Sequence, residues 1–183
     1  EEGGEGNTPD DSVSASAVTD FNRDGSYDVT VTASQGGSNK SGNVAVSVVV
    51  DKTLASYSDL KLVTALDAEG KTVAYMTGKL TDDSAPLLKG EINITLVHAT
   101  KGARLDFRVN KYNEGSVDAD GTFTSSSQTL SSTTPDGSWY VQYVSLEDAS
   151  GNRFNEYYRN SKDSSPLSTT LDNPLYLGND DTT

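Results

Sequence analysis

The chain has 183 residues, room for one large β domain or for one ordinary domain and a fragment, since domains cluster near about 100–150 residues. Its net charge of -13, from 27 acidic against 14 basic residues, repels a phosphate backbone or an anionic lipid surface, which disfavours nucleic-acid and membrane partners. With no cysteine there are no disulfides, thiolate metal sites or cysteine nucleophiles, and no stretch reaches the roughly 20 apolar residues of a membrane span.

Residues 1–11 are Glu, Gly, Asn, Asp, Thr and Pro without an apolar anchor, a composition that predicts a flexible tether. This Gly/Glu-rich lead resembles the stretch that follows the lipid-modified cysteine of bacterial lipoproteins, although that cysteine is absent here. From Ser12 onward apolar residues alternate: Val13, Ala15 and Ala17, then Tyr27, Val29 and Val31, then Val44, Val46, Val48 and Val50. Period two predicts three short strands, separated by Asp24-Gly25 and by the Gly36-Gly37-Ser38-Asn39 turn. Alternation stops at Asp51, and 51–56 reads as a connector between modules.

Beyond it, strands are expected at 60–66, 72–80, 91–99, 104–109, 122–130, 138–146 and 154–159. An added edge strand is expected at 175–177, before a polar tail at 179–183. About seven strands over some 100 residues is the count of an immunoglobulin-like sandwich. The expected organisation is a tether (1–11), a small or partial β module (12–53), a β-sandwich (54–178) and a tail.

An internal echo links the two parts. Asp24-Gly25-Ser26-Tyr27-Asp28-Val29 is matched by Asp136-Gly137-Ser138-Trp139-Tyr140-Val141, each opening an alternating strand that turns through Gly and Asn into a second. Glycine permits the sharp turn and the aromatic closes the end of a core, so Tyr27 and Trp139 are expected as corner plugs.

With Thr81-Asp82-Asp83 and Asp148-Ala149-Ser150-Gly151-Asn152, the second copy resembles the immunoglobulin-like modules appended to secreted and surface-bound bacterial hydrolases and adhesins. The resemblance spans roughly 57–160 and departs from the pattern at Ser150 and in the long polar stretch 124–134. It implies an all-β, antiparallel immunoglobulin-like sandwich in a larger extracellular or cell-surface protein. Residues 12–50 correspond to the last strands of such a module, or of a polycystic-kidney-disease-type one, which makes the preceding module partial or small.

Two acidic groups are candidate calcium sites. Asp20, Asn22, Asp24 and Asp28 stand at positions 1, 3, 5 and 9 of a calcium-loop pattern with Gly25 at 6, but Val31 stands where a bidentate Glu is needed, and an Asp-Gly turn is the favoured reading. The stronger set follows from sandwich topology. Loops carrying Asp82 and Asp83, and Asp148 and Asn152, are expected at the end where the connector bearing Asp51 enters, and such hard oxygens suit Ca²⁺ stiffening the joint between modules. Alternatively these residues only solvate turns.

Catalytic constellations are missing from the pattern. His98 is the lone histidine and lies on an alternating strand, where packing or exposure at a strand end is expected; no Gly-x-Ser-x-Gly elbow occurs. Glu147 and Asp148 are adjacent and cannot flank one glycosidic bond. Aromatics cluster late in the chain. If Tyr140 on the outer face pairs with Tyr157 of the last strand, the pair forms a platform for sugar rings, the mark of a carbohydrate-binding module; the alternative is a cross-strand tyrosine pair that stabilises a sheet. Alternation puts Trp139, Val141 and Tyr143 on one face unless a bulge intervenes. The reading favoured is a non-catalytic extracellular or surface-anchored spacer or adhesion module joined to other domains, with a polysaccharide or cell-surface ligand; the alternative is a carbohydrate-binding module of a secreted polysaccharide-active enzyme.

Overall fold

In a computed structural model of the chain the described residues are 11–15, 25–35, 41–82, 91–110, 114–158 and 164–178. Among them there is no helix. The strands in chain order are β1 (Asp11–Ala15), β2 (Gly25–Gln35), β3 (Ser41–Val50), β4 (Ser56–Leu66), β5 (Thr72–Thr81), β6 (Glu91–His98) and β7 (Arg104–Val109). Then come β8 (Ser116–Val117), β9 (Thr122–Thr124), β10 (Gln128–Thr129), β11 (Gly137–Glu147), β12 (Arg153–Tyr157) and β13 (Ser168–Leu171). The chain divides into two units, Glu1–Lys52 and Thr53–Thr183.

The first unit holds an antiparallel sheet ordered β1-β2-β3, with Tyr27 registered on Val48 and Gly25 on Val50. Val46 and Val49 of β3 are exposed.

The second unit holds two open antiparallel sheets. In one, β5 is central, paired with β4 on one edge and with β9 and β10 in tandem on the other, β8 lying beyond β9. In the other, the order is β12-β11-β6-β7, and β13 continues the β12 edge of β11. The inner faces share one hydrophobic core: Ala74, Met76, Leu80 and Phe123 from the first sheet meet Ile92, Ile94, Leu96, Phe107, Trp139, Val141, Val144 and Leu146 from the second. This is a sandwich-like arrangement. Strand β7 shows its cause, burying Leu105, Phe107 and Val109 while exposing Arg104, Asp106 and Arg108. Each such apolar side chain contributes about 1.5–3 kcal/mol on burial.

Three expectations about strands need correction. The edge strand forms at β13, not at 175–177, because Asn173 starts a turn: its Oδ1 accepts from the Leu175 amide and its Nδ2 donates to the carbonyls of Ser131 and Thr134. The strand expected at 122–130 is two short pieces, since Ser125 bends the chain to donate its amide to the Met76 carbonyl. In β11 the register against β6 shifts between Val141 and Tyr143. That bulge moves Tyr143 off the core face, so Trp139, Val141, Val144 and Leu146 point inward and Tyr143 does not.

Candidate functional site

Strand ends bring the acidic residues together. Ser56, where β4 begins, is registered with Thr81, where β5 ends, so the connector leading into β4 runs beside Asp82. Strand β11 ends at Glu147 and the turn of Asp148–Asn152 sends the chain back as β12. Carboxylate oxygens of Asp82 and Asp148 lie within 4.8 Å of one another; Asp148 is buried and Asp82 half-buried. Asp51, expected with them, belongs to the first unit. Asp83, expected with them, is outside the described residues.

A second turn of similar sequence shows what ordinary turn chemistry explains. Asp67 Oδ1 accepts the amides of Glu69 (2.9 Å) and Lys71 (2.8 Å), and Asp148 Oδ1 accepts those of Ser150 and Asn152, both at 2.9 Å. These are the local side-chain to backbone bonds for which Asp is favoured in turns. Turn chemistry therefore accounts for one oxygen of each aspartate. It does not account for Asp148 being 4% exposed beside the carboxylate of Asp82. Asn152 braces the turn: its Nδ2 donates to Asp148 Oδ2 (2.9 Å) and to the Thr53 carbonyl (3.3 Å). The amide thus presents hydrogens, not its oxygen, to Asp148.

Of the calcium-loop pattern, Asp20, Asn22 and Asp24 are outside the described residues. Asp28 is exposed on β2.

His98 is buried and structural. Its Nδ1 accepts the amides of Thr100 (3.2 Å) and Lys101 (3.0 Å), which leaves Nε2–H to donate to the Asp136 carbonyl at 2.9 Å. The ring meets Trp139 edge-on, centroids 5.3 Å apart, and the indole N–H donates to the Pro135 carbonyl at 3.1 Å. This network fixes the chain reversal that opens β11. Trp139 has no exposed surface, as a corner plug requires; Tyr27 is half-buried.

The outer-face tyrosines differ from the expected pairing. Tyr140 is registered with Val97 and Ser168, whereas Tyr157 stands opposite Tyr143, ring centroids 5.4 Å apart and tilted by 52°. The bulge at Gln142 is the reason, since it carries Tyr143 to the face already held by Tyr140. Tyr143 donates its hydroxyl to Asn155 Oδ1 at 2.9 Å.

A cluster that alternation alone did not reveal joins β4 to the end of β12. Tyr57 donates to Glu156 Oε2 (3.0 Å), and its hydroxyl lies 2.9 Å from that of Tyr158. Burial first, then these hydrogen bonds, hold the Tyr57 hydroxyl well above the ordinary tyrosine range; Tyr158 is raised too, by burial and Glu156. The only sequence signal for it was an aromatic near each end of the sandwich segment.

Comparison with known proteins adds one finding. Residues 12–49, which span β2 and nearly all of β1 and β3, match the family described as FG-GAP repeat. No curated protein and no solved structure gives a significant match to the chain.

Proposed function

We propose that this chain is a non-catalytic adhesion or spacer segment of an extracellular protein, stiffened by calcium held at Asp82 and Asp148. The observation that carries the reading is the approach of two carboxylates, one of them buried, to within 4.8 Å. Ionised carboxylates about 4 Å apart repel by on the order of 4 kcal/mol per pair at an effective dielectric constant of 20, so the cluster favours a cation or a proton. Its donors are hard oxygens only, the chemistry Ca²⁺ takes. Bound there, the ion would supply charge neutralisation and a cross-link between the two loops; Asn152 would keep Asp148 oriented.

The FG-GAP match supports the wider setting. Such repeats are typically extracellular adhesion or ligand-binding modules, generally non-enzymatic, set in multidomain proteins and often calcium-binding. The matched segment contains Asp20, Asn22, Asp24 and Asp28, which become a second candidate calcium loop. In this reading residues 54–178 are an immunoglobulin-like module, 12–53 a smaller β module and 1–11 a tether toward a cell surface.

Thermal unfolding of the whole chain in EDTA and then in millimolar Ca²⁺ tests it. At calcium one hundred times its Kd the folded form gains about 2.7 kcal/mol, on the order of 10 °C in midpoint for a unit of this size. Asp82→Asn and Asp148→Asn should each abolish most of the shift. Equal midpoints in EDTA and calcium would sink the calcium assignment.

A further inference from the structure

The outer face of the β12-β11-β6-β7 sheet carries a trough of about 460 Å³ that the calcium reading does not use. Its shape follows from side-chain length. The two central strands present short residues, Asn93 and Thr95 from β6 and Ser145 from β11, while the flanks carry long ones. Asp106 and Arg108 rise from β7 opposite Thr95 and Asn93, Arg153 stands on β12 at the other flank, and Tyr143 rises from β11 opposite Thr95 at one end of the floor. Short side chains between long ones make a concave floor on a sheet face.

From this arrangement we infer that the trough binds a neutral glycan chain, which names the ligand class of the adhesion reading and rests on it. Three observations favour that ligand. The charged lining residues cancel, Glu91 and Asp106 against Arg108 and Arg153, so a charged polymer gains no net attraction although the chain as a whole is at -13. The same groups with Asn93, Thr95 and Ser145 supply donors and acceptors, the mixture that vicinal hydroxyls pair with. Tyr143 offers the ring that a sugar's C–H face packs on, held in place by its bond to Asn155 and by Tyr157. Two of the polar groups are also preset: Thr95 donates to Asp106 Oδ1 at 2.6 Å, and Arg153 is paired with Glu147. Little side-chain freedom would be lost there on binding. A volume of 460 Å³ falls within the range of small-ligand sites, about 300–1,000 Å³.

Electrophoresis of the whole chain through native gels cast with a soluble β-glucan, a galactomannan or a xylan, and with alginate as the acidic control, tests the inference. Retardation in at least one neutral gel is expected, weakened tenfold or more by Tyr143→Ala and by Arg108→Ala, with thermal midpoints showing that both variants fold. Asp82→Asn should retain the binding. No retardation in any neutral gel, retardation by alginate alone, or retardation that survives both substitutions overturns the proposal. Adherence to intact cells separates the two readings: adherence that persists in both trough variants overturns the trough alone, and a wild-type chain that adheres to nothing overturns the adhesion reading.

Discussion

The two copies of the aspartate-glycine-aromatic motif share a backbone and differ in what they close. Gly25 and Gly137 both begin a strand with positive φ, 151° and 102°, conformations that glycine adopts without a side-chain clash. An added Cβ at Gly25 would meet nothing within 4 Å, whereas at Gly137 it would meet His98 Nε2 at 3.4 Å. Trp139 is sealed between His98 and the core; Tyr27 is half-buried on a sheet whose Val46 and Val49 face solvent. Among the residues whose burial is described, every buried hydrophobic side chain belongs to the second unit. A local motif therefore sets the chain's path, and in the second unit burial comes from the sheet that faces it.

That contrast is open to breaking by truncation. Trp139→Ala should cost about 3–5 kcal/mol, the usual penalty for emptying a large aromatic site in a packed core. Tyr27→Ala should cost no more than about 1 kcal/mol. Urea unfolding followed by circular dichroism measures both. Similar losses at the two positions would mean that Tyr27 closes a core of its own, and the contrast would fail.

A smaller effect sharpens the account of why the second motif is rigid. In His98→Phe the ring can still meet Trp139, but the acceptor for two amides and the donor to Asp136 are gone. About 1–3 kcal/mol of stability should be lost, with the near-ultraviolet dichroism of the lone tryptophan reduced. A variant as stable as the parent would show that edge packing, not hydrogen bonding, holds the reversal.

The sequence made much of this legible because alternation is a strong signal where one face of a strand is buried. β7 was readable to the residue, since Leu105, Phe107 and Val109 alternate cleanly with charge. The approach of Asp82 to Asp148 depends on strand topology, which fixes which loops share an end. What escaped depended on one-residue events. The bulge between Val141 and Tyr143 flips every later side chain of β11, and no residue type at Gln142 announces it, so the tyrosine facing Tyr157 was misassigned. The turn at Asn173 displaced the last strand through bonds to Ser131 and Thr134, about forty residues away in sequence, where no local pattern reaches.

The smallest predicted effect separates the rim of the second core from its centre. Tyr57 and Tyr158 have raised pKa values in the folded state, Tyr57 chiefly through burial. Up to the ordinary tyrosine value near 10 both states keep their protons, and the stabilisation is present in full. Above it the unfolded chain releases protons that the folded chain retains, so stability falls as pH rises. Urea titrations between pH 9 and about 11 should show this decline in the parent chain and a shallower one in Tyr57→Phe. Trp139 has no titrating group, and its neighbourhood should add nothing to the slope. An alkaline slope unchanged in Tyr57→Phe would assign the decline to other tyrosines and remove the Tyr57–Tyr158–Glu156 cluster from the forces that tie β4 to the end of β12.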